Sequence, residues 1–166
     1  LAMAKKIRDT KGVAVKVSYA NMEKYNELYR RFGNLNKMLA WMHAKAIENA
    51  LLERQVPWGM LDQFTKQPLV QKQLKADSVK NFELKMQTKA EEDPVVAAAS
   101  IIARATYIFA MRKLSAEFGE DLMKGASSKT KEQAVAIVKK FGKEALPKFA
   151  KMHFKTAQEA LKEAEK

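Results

Sequence analysis

The longest apolar run of the chain, Val95 to Met111, is the feature that most constrains its fold. Pro94 stands directly before this run, at a position that favours the first turn of a helix. We expect a helix that reaches about Phe118, is apolar almost all round at its start and therefore lies at the centre of the fold. The run is only marginally long enough to cross a bilayer, and Arg104 inside it would be costly in lipid. The prediction is a buried core helix and no membrane association.

Alternating apolar residues predict three short strands, at 13–19, 57–64 and 81–89. Helical patterns lie between and after them, so strand and helix are interleaved, which is typical of the α/β class. Three strands make a small sheet for a chain of 166 residues. No repeat and no interdomain linker is visible, and we expect a single domain over residues 1–166.

Capping residues mark the predicted helix boundaries. Asn21 is expected to cap a helix that runs to Arg31 and ends at Gly33. Asn34 is expected to begin a longer helix that reaches about Arg54. The remaining predictions are a helical turn at 68–75, a loop at 124–131 and helices near 131–141 and 150–165.

Composition narrows the chemistry that the chain can perform. Apolar residues make up 47% of the chain, so a sizeable core can be buried and a disordered or collagen-like chain is excluded. The absence of cysteine excludes a disulfide scaffold, a thiolate zinc site and a cysteine nucleophile. With His43 and His153 as the only histidines, histidine-rich metal sites and most Ser-His-Asp schemes are nearly excluded. Any catalysis must therefore use carboxylates, with or without a divalent metal.

The charge of the chain is strongly positive and uneven. Lys and Arg number 31 against 19 Asp and Glu, which gives a net charge of +12. Residues 1–50 and 101–166 each carry a net charge of +6, whereas residues 51–100 are neutral. A basic surface favours phosphate-rich partners, although a solvated lysine surface has the same composition. An acidic cluster within such a chain could be a metal site that faces a polyanion.

Acidic residues near two predicted strand ends are the first candidate site. Asp62 ends an apolar strand, where α/β folds commonly place ligands and metals, although an Asp there can also simply cap a turn. Glu91, Glu92 and Asp93 stand directly before the long apolar helix. The helix macrodipole stabilises one acid there, but three adjacent acids repel one another unless a cation such as Mg²⁺ lies between them. Asp62 with this cluster would make half of a carboxylate-lined metal site.

Two helices carry further polar candidates. Ser100 and Arg104 are spaced i, i+4 on the apolar helix, where Arg104 could contact a phosphate or form a buried ion pair with one of the acids. Asn36, His43 and Lys45 lie on the second predicted helix. A lone histidine such as His43 is more often a satisfied helix residue than a catalyst.

Five segments of the chain resemble type 2 ribonucleases H. GNLNKMLAWMHAKAIENALL at 33–52 and VPWGMLDQF at 56–64 look like that family's helix followed by a strand. QTKAEEDPVVAAASIIARATYIFAM at 87–111 looks like its second acidic motif and its Ala-Ala-Ser-Ile helix. The Arg after Ile-Ala, rather than Lys, is similar to the ribonuclease HIII branch, as are KGASSKTKEQAVAIVKKFGKEAL at 124–146 and AKMHFKTAQEAL at 150–161. The resemblance covers essentially the whole chain.

The resemblance implies an endonuclease that hydrolyses the RNA strand of RNA/DNA hybrids. That family uses four carboxylates and two Mg²⁺ or Mn²⁺ ions, which hold the scissile phosphate and activate a water. Asp62 matches the third carboxylate and Glu91 the fourth, with Glu92 and Asp93 as alternatives because the loop before Ser100 is slightly shorter than in the family. The implied fold is a ribonuclease H-like mixed sheet flanked by helices, with a helical C-terminal region. The residues expected to contact nucleic acid are Asn36, His43, Lys45, Ser100 and Arg104.

Three features of that family are absent from this sequence. They are an adjacent Asp-Glu pair on the first strand, a basic Gly-rich loop beside it, and the small substrate-binding domain common in the ribonuclease HIII branch. We therefore expect residues 1–166 to be the C-terminal part of a catalytic domain that lacks its first strands, with poor metal binding and an exposed sheet edge. A separate N-terminal segment or chain would complete the active site.

Two other classes of function are compatible with the residues. The chain could be a basic, non-catalytic ribonuclease H-like module that binds nucleic acid, or a structural protein whose lysines keep it soluble. The metal-dependent endonuclease is the leading prediction because it accounts for the ordered motifs. The first residues contain no long apolar stretch, so no signal peptide is predicted and the cytoplasm is the expected location.

Overall fold

The computed structural model describes residues 1–165 of the chain. Within those residues the chain forms eight α-helices, two β-strands and three short 3₁₀ turns, which is the predicted α/β class with a high helix content. In chain order the helices and strands are α1 (Ala2–Asp9), α2 (Met22–Phe32), α3 (Leu35–Glu53), β1 (Trp58–Asp62), α4 (Leu69–Gln73), β2 (Glu83–Gln87), α5 (Pro94–Phe118), α6 (Ser128–Phe141), α7 (Leu146–Phe149) and α8 (Lys155–Ala164). The 3₁₀ turns are Ala76–Val79, Ala90–Glu92 and Lys143–Ala145.

Two asparagines and a glycine set the boundary between α2 and α3. The Asn21 Oδ1 atom accepts a hydrogen bond from the Lys24 amide at 2.8 Å. The Asn34 Oδ1 atom accepts one from the Lys37 amide at 3.1 Å. Gly33 has a φ of 60°, the left-handed conformation that ends helices and that glycine adopts without a steric cost. The predicted positions of both helices are therefore confirmed.

The sheet of the described residues consists of β1 and β2 in parallel. Trp58 lies opposite Glu83 and Asp62 lies opposite Gln87. The crossover between the strands contains α4, whose Val70 is fully buried in an apolar cluster with two alanines of α3. Apolar residues of both strands pack against the same cluster, which fixes the strands to α3. The strands predicted at 57–64 and 81–89 are confirmed.

The strand predicted at 13–19 is wrong. These residues form an extended, irregular segment between α1 and α2 that has no strand partner among residues 1–165. Val15 packs against the cluster of Ala4, Ile102 and Ala105, but the other three alternating apolar side chains are exposed. Alternation predicts an extended segment with two different faces, whereas a strand also needs a neighbour for its amides and carbonyls. The sheet therefore has two strands rather than three.

Helix α5 has the predicted ends but is not the buried central helix that its composition suggests. Ile102 and Ala105 are buried against α1 and the extended segment. Val95 and Phe109, by contrast, are 75% and 59% exposed. The apolar residues of α5 show that much of its surface would be more stable if buried. They do not determine which other helices or strands pack against that surface. The prediction of a core helix is therefore wrong for most of its circumference.

Helix α5 is also long and apolar enough to cross a membrane, with a mean hydropathy of 1.6, and it is the one helix of the described residues that meets this criterion. One such helix is weak evidence for a membrane span. Arg104 lies within it, and a charge at that position is costly in a bilayer. The expected absence of membrane association stays a prediction.

The chain divides into two compact units. The first unit consists of residues 1–19 and 34–106, and the second consists of residues 20–33 and the chain from 107 onwards. Each unit has apolar clusters of its own. The prediction that residues 1–166 form one N-terminally incomplete catalytic domain stays a prediction.

The second unit contains the helical C-terminal region that the sequence predicts. The loop predicted at 124–131 is shorter than expected, because α6 already begins at Ser128 after Ser127 as its N-cap. The Ser127 Oγ atom accepts a hydrogen bond from the Thr130 amide at 3.3 Å. The buried apolar cluster of this unit consists of Phe118, Ala134, Val135, Ile137, Leu146, Ala157 and Ala160.

Replacing Leu146 by Ala should lower the free energy of unfolding by about 2–5 kcal/mol, because its side chain is fully buried and its removal leaves a cavity. The same substitution at Leu52, which is 80% exposed, should change the free energy by less than about 0.5 kcal/mol. Urea denaturation followed by circular dichroism measures both values. Equal effects of the two substitutions would contradict the assignment of the core.

Candidate metal and nucleic-acid site

Asp62 is the last residue of β1, at the carboxyl edge of the sheet, and it is exposed. Its Oδ1 atom accepts a hydrogen bond from the amide of Ala90 at 3.3 Å. The Gln63 amide donates to the Gln87 carbonyl at 2.9 Å, so the backbone pairing continues past the end of β1. The parallel strands therefore bring Asp62 next to the turn after β2, which is distant in sequence.

The turn after β2 carries Glu91. Lys89 adopts a φ of 56° and a ψ of 34°, a left-handed conformation that is uncommon for residues other than glycine, and a 3₁₀ turn follows it. Such conformations concentrate at functional sites, where the surrounding structure holds them in place. Glu91 directly follows Ala90, whose amide donates to Asp62. The exposed Glu91 side chain makes no hydrogen bond or ion pair with any other residue in 1–165.

Asp93 has a structural role at the start of α5. Its Oδ1 atom accepts hydrogen bonds from the amides of Val95 at 2.8 Å and Val96 at 3.3 Å. The first turn of a helix has unpaired amides, and a carboxylate that accepts from them stabilises the helix. Of the three adjacent acids, Glu91 and Glu92 therefore present exposed carboxylates, whereas Asp93 caps α5.

The donor atoms at this edge suit a hard divalent cation. Carboxylate oxygens are the ligands that Mg²⁺ and Mn²⁺ prefer in proteins. Within the part of the chain that the structure describes, no group of three or more His, Asp or Glu side chains could hold a metal ion. Asp62 and Glu91 supply two carboxylates toward such a set, and their role as metal ligands stays a prediction.

His43 lies on α3 and stacks on Phe64, with ring centroids 5.4 Å apart at an angle of 24°. Phe64 follows Asp62 by two residues, so this contact connects α3 to the chain just beyond the carboxyl end of β1. Burial lowers the pKa of His43. The ring is therefore neutral at pH 7, where it can exchange a hydrogen bond with a nucleotide but contributes no charge toward a phosphate.

Lys45 has a carboxylate partner on its own helix. Its Nζ atom lies 2.8 Å from Oε2 of Glu48, and the other carboxylate oxygen of Glu48 accepts from the Lys75 amide at 2.8 Å. Burial alone would raise the pKa of Glu48, but the hydrogen bonds from Lys45 and from the Lys75 amide outweigh burial, so the pKa is lowered. Lys45 neutralises a buried charge, and a phosphate would have to compete with Glu48 for it.

Glu48 belongs to this region but is not among the site residues predicted from the sequence. It is only 5% exposed, and buried glutamates normally have a charged partner. The i, i+3 spacing from Lys45 is the signal that could have indicated the pair.

The other three candidates are exposed. Asn36 lies in the first turn of α3. Ser100 and Arg104 are one helical turn apart on the same face of α5. A role of these residues in nucleic-acid binding, like that of His43 and Lys45, stays a prediction.

Replacing Glu48 by Gln should destabilise the protein by about 1–2 kcal/mol at pH 7, because it removes the charge that holds Lys45. The pKa of Glu48 is lower in the folded protein than its ordinary value of 4.5, so the carboxylate stabilises the fold above that value and loses this effect as the pH falls through the folded pKa. The difference in free energy of unfolding between the wild type and Glu48→Gln should therefore shrink in acid.

Urea denaturation at pH 7 and at acidic pH measures this difference. Glu53→Gln is the matched control, because Glu53 is half-exposed in its ion pair with Lys16 and should contribute less than about 1 kcal/mol. A Glu48 effect that stays constant with pH would contradict the prediction.

The sequence and fold match those of known ribonucleases. Residues 1–157 match the family model described as Ribonuclease HII. Ribonuclease HIII of Chlamydia trachomatis serovar D is 40% identical over 162 residues, which cover 97% of this chain and 53% of that protein. Ribonuclease HIII of Protochlamydia amoebophila is 40% identical over 136 residues, which cover 82% of this chain and 45% of that protein. The chain thus spans about half the length of the curated relatives it matches.

A solved structure with the same fold is the crystal structure of Bst-RNase HIII in complex with Mn²⁺. It matches with a TM-score of 0.75 and 29% identity, over 87% of this chain and 49% of that one. The resemblance to type 2 ribonucleases H and their HIII branch is confirmed. Because the family model matches residues 1–157 of 166, the chain belongs to the ribonuclease HII family.

Proposed function

We propose that this chain is the C-terminal part of a ribonuclease that cleaves the RNA strand of RNA/DNA hybrids internally, with two divalent metal ions. The observation that carries the proposal is the hydrogen bond from the Ala90 amide to Asp62, which places the turn bearing Glu91 against Asp62 at one edge of the sheet. Membership of the ribonuclease HII family supports this reading. The opposite signs of the acidic edge and of the whole chain, with its net charge of +12, suit a metal-assisted reaction on a polyanion.

The carboxylates of Asp62 and Glu91 would hold Mg²⁺ or Mn²⁺, with Glu92 next to Glu91 as the alternative ligand. Bound divalent ions supply Lewis acidity toward the scissile phosphate and a more acidic water. The Ala90 amide holds one oxygen of the Asp62 carboxylate in place, so that its other oxygen can face a cation. The Mn²⁺ complex of Bst-RNase HIII supports the use of a divalent cation.

A further segment, from the same polypeptide or from a separate chain, would supply the remaining carboxylates. This proposal rests on the incomplete ligand set at the sheet edge and on the relatives, which are about twice as long as this chain. It also accounts for the extended segment at 13–19, whose alternating pattern has no strand partner within residues 1–165. The hybrid would be held by polar side chains, for which the candidates are Asn36, His43, Lys45, Ser100 and Arg104.

A cytoplasmic location without membrane association is part of the same proposal. Its support is the charge of Arg104 within α5, which would be costly in a bilayer.

Asp62→Asn should reduce hybrid cleavage by the completed enzyme at least about 100-fold, because it removes a charged metal ligand and leaves the shape of the side chain almost unchanged. Hybrid binding should remain largely intact. Cleavage of a hybrid with an end-labelled RNA strand, resolved on a denaturing gel, measures activity, and fluorescence anisotropy in EDTA measures binding. Asp77→Asn is the matched control, since Asp77 is exposed in the 3₁₀ turn before β2 and lies outside the acidic edge. Full activity of Asp62→Asn would overturn the assignment.

Glu91→Gln and Asp93→Asn should separate the ligand from the helix cap. Glu91→Gln should lower cleavage at least about 100-fold with little change in stability. Asp93→Asn should retain most of the activity, because Asn caps helices about as well as Asp. The same gel assay, with thermal denaturation of both variants, gives the comparison. Loss of activity in Asp93→Asn together with normal cleavage by Glu91→Gln would reassign the fourth carboxylate to Asp93.

The second candidate function is a non-catalytic module that binds nucleic acid. The observation that favours it is the absence of a three-residue metal-ligand group among residues 1–165, combined with the basic net charge. Such a module would bind hybrids in a salt-sensitive way that depends neither on EDTA nor on Asp62. A metal-dependent cleavage product from the completed enzyme would exclude it, and failure to bind nucleic acid at low salt would favour a structural protein instead.

A further inference from the structure

Four aromatic rings of the second unit lie together, with the rings of Tyr25, Tyr29 and Phe154 each in contact with that of His153. The His153 ring lies 3.8 Å from the ring of Tyr29 at an angle of 9°, centroid to centroid. The ring centroid of Tyr25 lies 5.8 Å from that of His153, and the ring centroid of Phe154 lies 4.4 Å from it. We call these four residues the ring stack. Phe154 is 48% exposed, so the stack presents an aromatic surface to solvent.

The ring stack is held in place by hydrogen bonds of buried groups. The Asn26 amide group donates to the carbonyls of Pro147 and Ala150, both at 2.9 Å, and its oxygen accepts from the Met152 amide at 2.9 Å. Asn26 is only 4% exposed. Its three hydrogen bonds join α2 to the segment before α8. The Tyr25 hydroxyl also lies 2.9 Å from Nε2 of His153. A ligand that used these rings would therefore not have to order them first.

Lys151 places a cation over the ring stack. Its Nζ atom lies 4.7 Å from the Tyr25 ring centre and 5.9 Å from that of Phe154. Within residues 1–165 it forms no ion pair, although the residue is exposed. Burial of its ammonium group lowers the pKa of Lys151, and burial together with this nearby charge lowers the pKa of His153. The cation is thus partly desolvated and lacks a carboxylate, which is the condition under which a phosphate would bind.

A second aromatic cluster of the same unit also has lysines over its rings, but these lysines have oxygen partners. Phe141 stacks on Phe149 with ring centres 5.9 Å apart, and Lys140 lies 5.1 Å from the Phe141 ring. The Lys140 Nζ atom, however, donates to the Phe118 carbonyl at 2.8 Å, where it caps the end of α5. Lys148, over Phe149, is paired with a glutamate of α5. The cations of this cluster have partners, whereas Lys151 has no acidic one.

We propose that the ring stack and Lys151 bind single-stranded nucleic acid, with a base stacked on Phe154 and a backbone phosphate at the Lys151 ammonium. An exposed aromatic face next to a cation is the combination by which proteins bind single strands without sequence preference. One nucleotide carries both a base and a phosphate, separated by a single sugar, so it can reach both groups. The site contains none of the acidic residues of the sheet edge, and the proposal does not depend on hybrid cleavage.

The test measures the binding of fluorescein-labelled oligo(dT) and oligo(U) of about ten nucleotides to the whole chain in EDTA, by fluorescence anisotropy. Phe154→Ala should weaken binding about tenfold, which corresponds to about 1.4 kcal/mol, and Phe154→Leu should weaken it about fivefold because Leu keeps the apolar bulk without the π face. Lys151→Ala should weaken binding and reduce the slope of log affinity against log salt by about 0.7, the value for one lost phosphate contact on a single strand. DNA and RNA should bind alike, because stacking does not read the 2′-hydroxyl.

Matched controls distinguish this site from a general charge effect. Phe141→Leu repeats the aromatic change in the second cluster, and Lys139→Ala removes one exposed charge from α6. Neither should weaken binding more than about twofold. Circular dichroism verifies that each variant is folded.

Two results would overturn the proposal. One is equal binding by the wild type and a folded Phe154 variant. The other needs no variant: wild-type protein that binds an abasic strand as tightly as oligo(dT) does not use stacking. A tenfold preference for oligo(dT) over the abasic strand, lost in Phe154→Leu, would support the site whatever the outcome for hybrid cleavage.

Discussion

The parallel pairing of β1 with β2 is the interaction on which the candidate metal site depends. Because Asp62 lies opposite Gln87, the turn after β2 begins beside Asp62, and the Ala90 amide donates to its carboxylate. The strands are held in this register by apolar packing, in which Val70 of the crossover is fully buried against α3. A shift of one residue would turn Asp62 to the other face of the sheet. Apolar contacts therefore determine where the acidic groups lie.

Features that depend on neighbours within three or four residues are predictable from the sequence. Asn21 and Asn34 cap the amides of residues three positions later, and Pro94 begins α5, so the ends of these helices follow from local chemistry. Asp62 becomes a candidate because a short apolar strand ends there, which is also a local pattern. The contact between Asp62 and the turn that bears Glu91 is different in kind, because it needs the strand pairing. The residues suggest the acidic cluster at 91–93 as a partner of Asp62, and the resemblance to a family implies Glu91 within that cluster.

Features that depend on distant partners are not predictable in this way. The segment at 13–19 has the alternation of a strand, but pairing requires another edge, which residues 1–165 do not supply. The apolar residues of α5 predict burial, yet the extent of burial depends on which elements pack around the helix. The sequence does not distinguish Lys45 from the other lysines of this basic chain. The structure does, because its partner Glu48 is buried and also accepts a hydrogen bond from the Lys75 amide. For the segment at 13–19 and for α5, the decisive contact joins segments that are remote in sequence. The pair of Lys45 and Glu48 is local, but the bond from the Lys75 amide that holds Glu48 in its buried position is also remote.

The net charge of +12 is informative only when each cation is considered with its neighbours. Lys45 neutralises a buried glutamate, and Lys140 bonds to a helix carbonyl, so both contribute to the fold before they contribute to binding. Lys151 has aromatic rings and no carboxylate beside it among the described residues, so its charge is directed toward whatever approaches the surface. The acidic edge has the converse property, since Asp62 and Glu91 are exposed carboxylates without a cationic partner within residues 1–165. Charged groups without a partner of opposite sign lack a favourable electrostatic interaction in the folded chain. A ligand of opposite charge that binds them can supply that interaction.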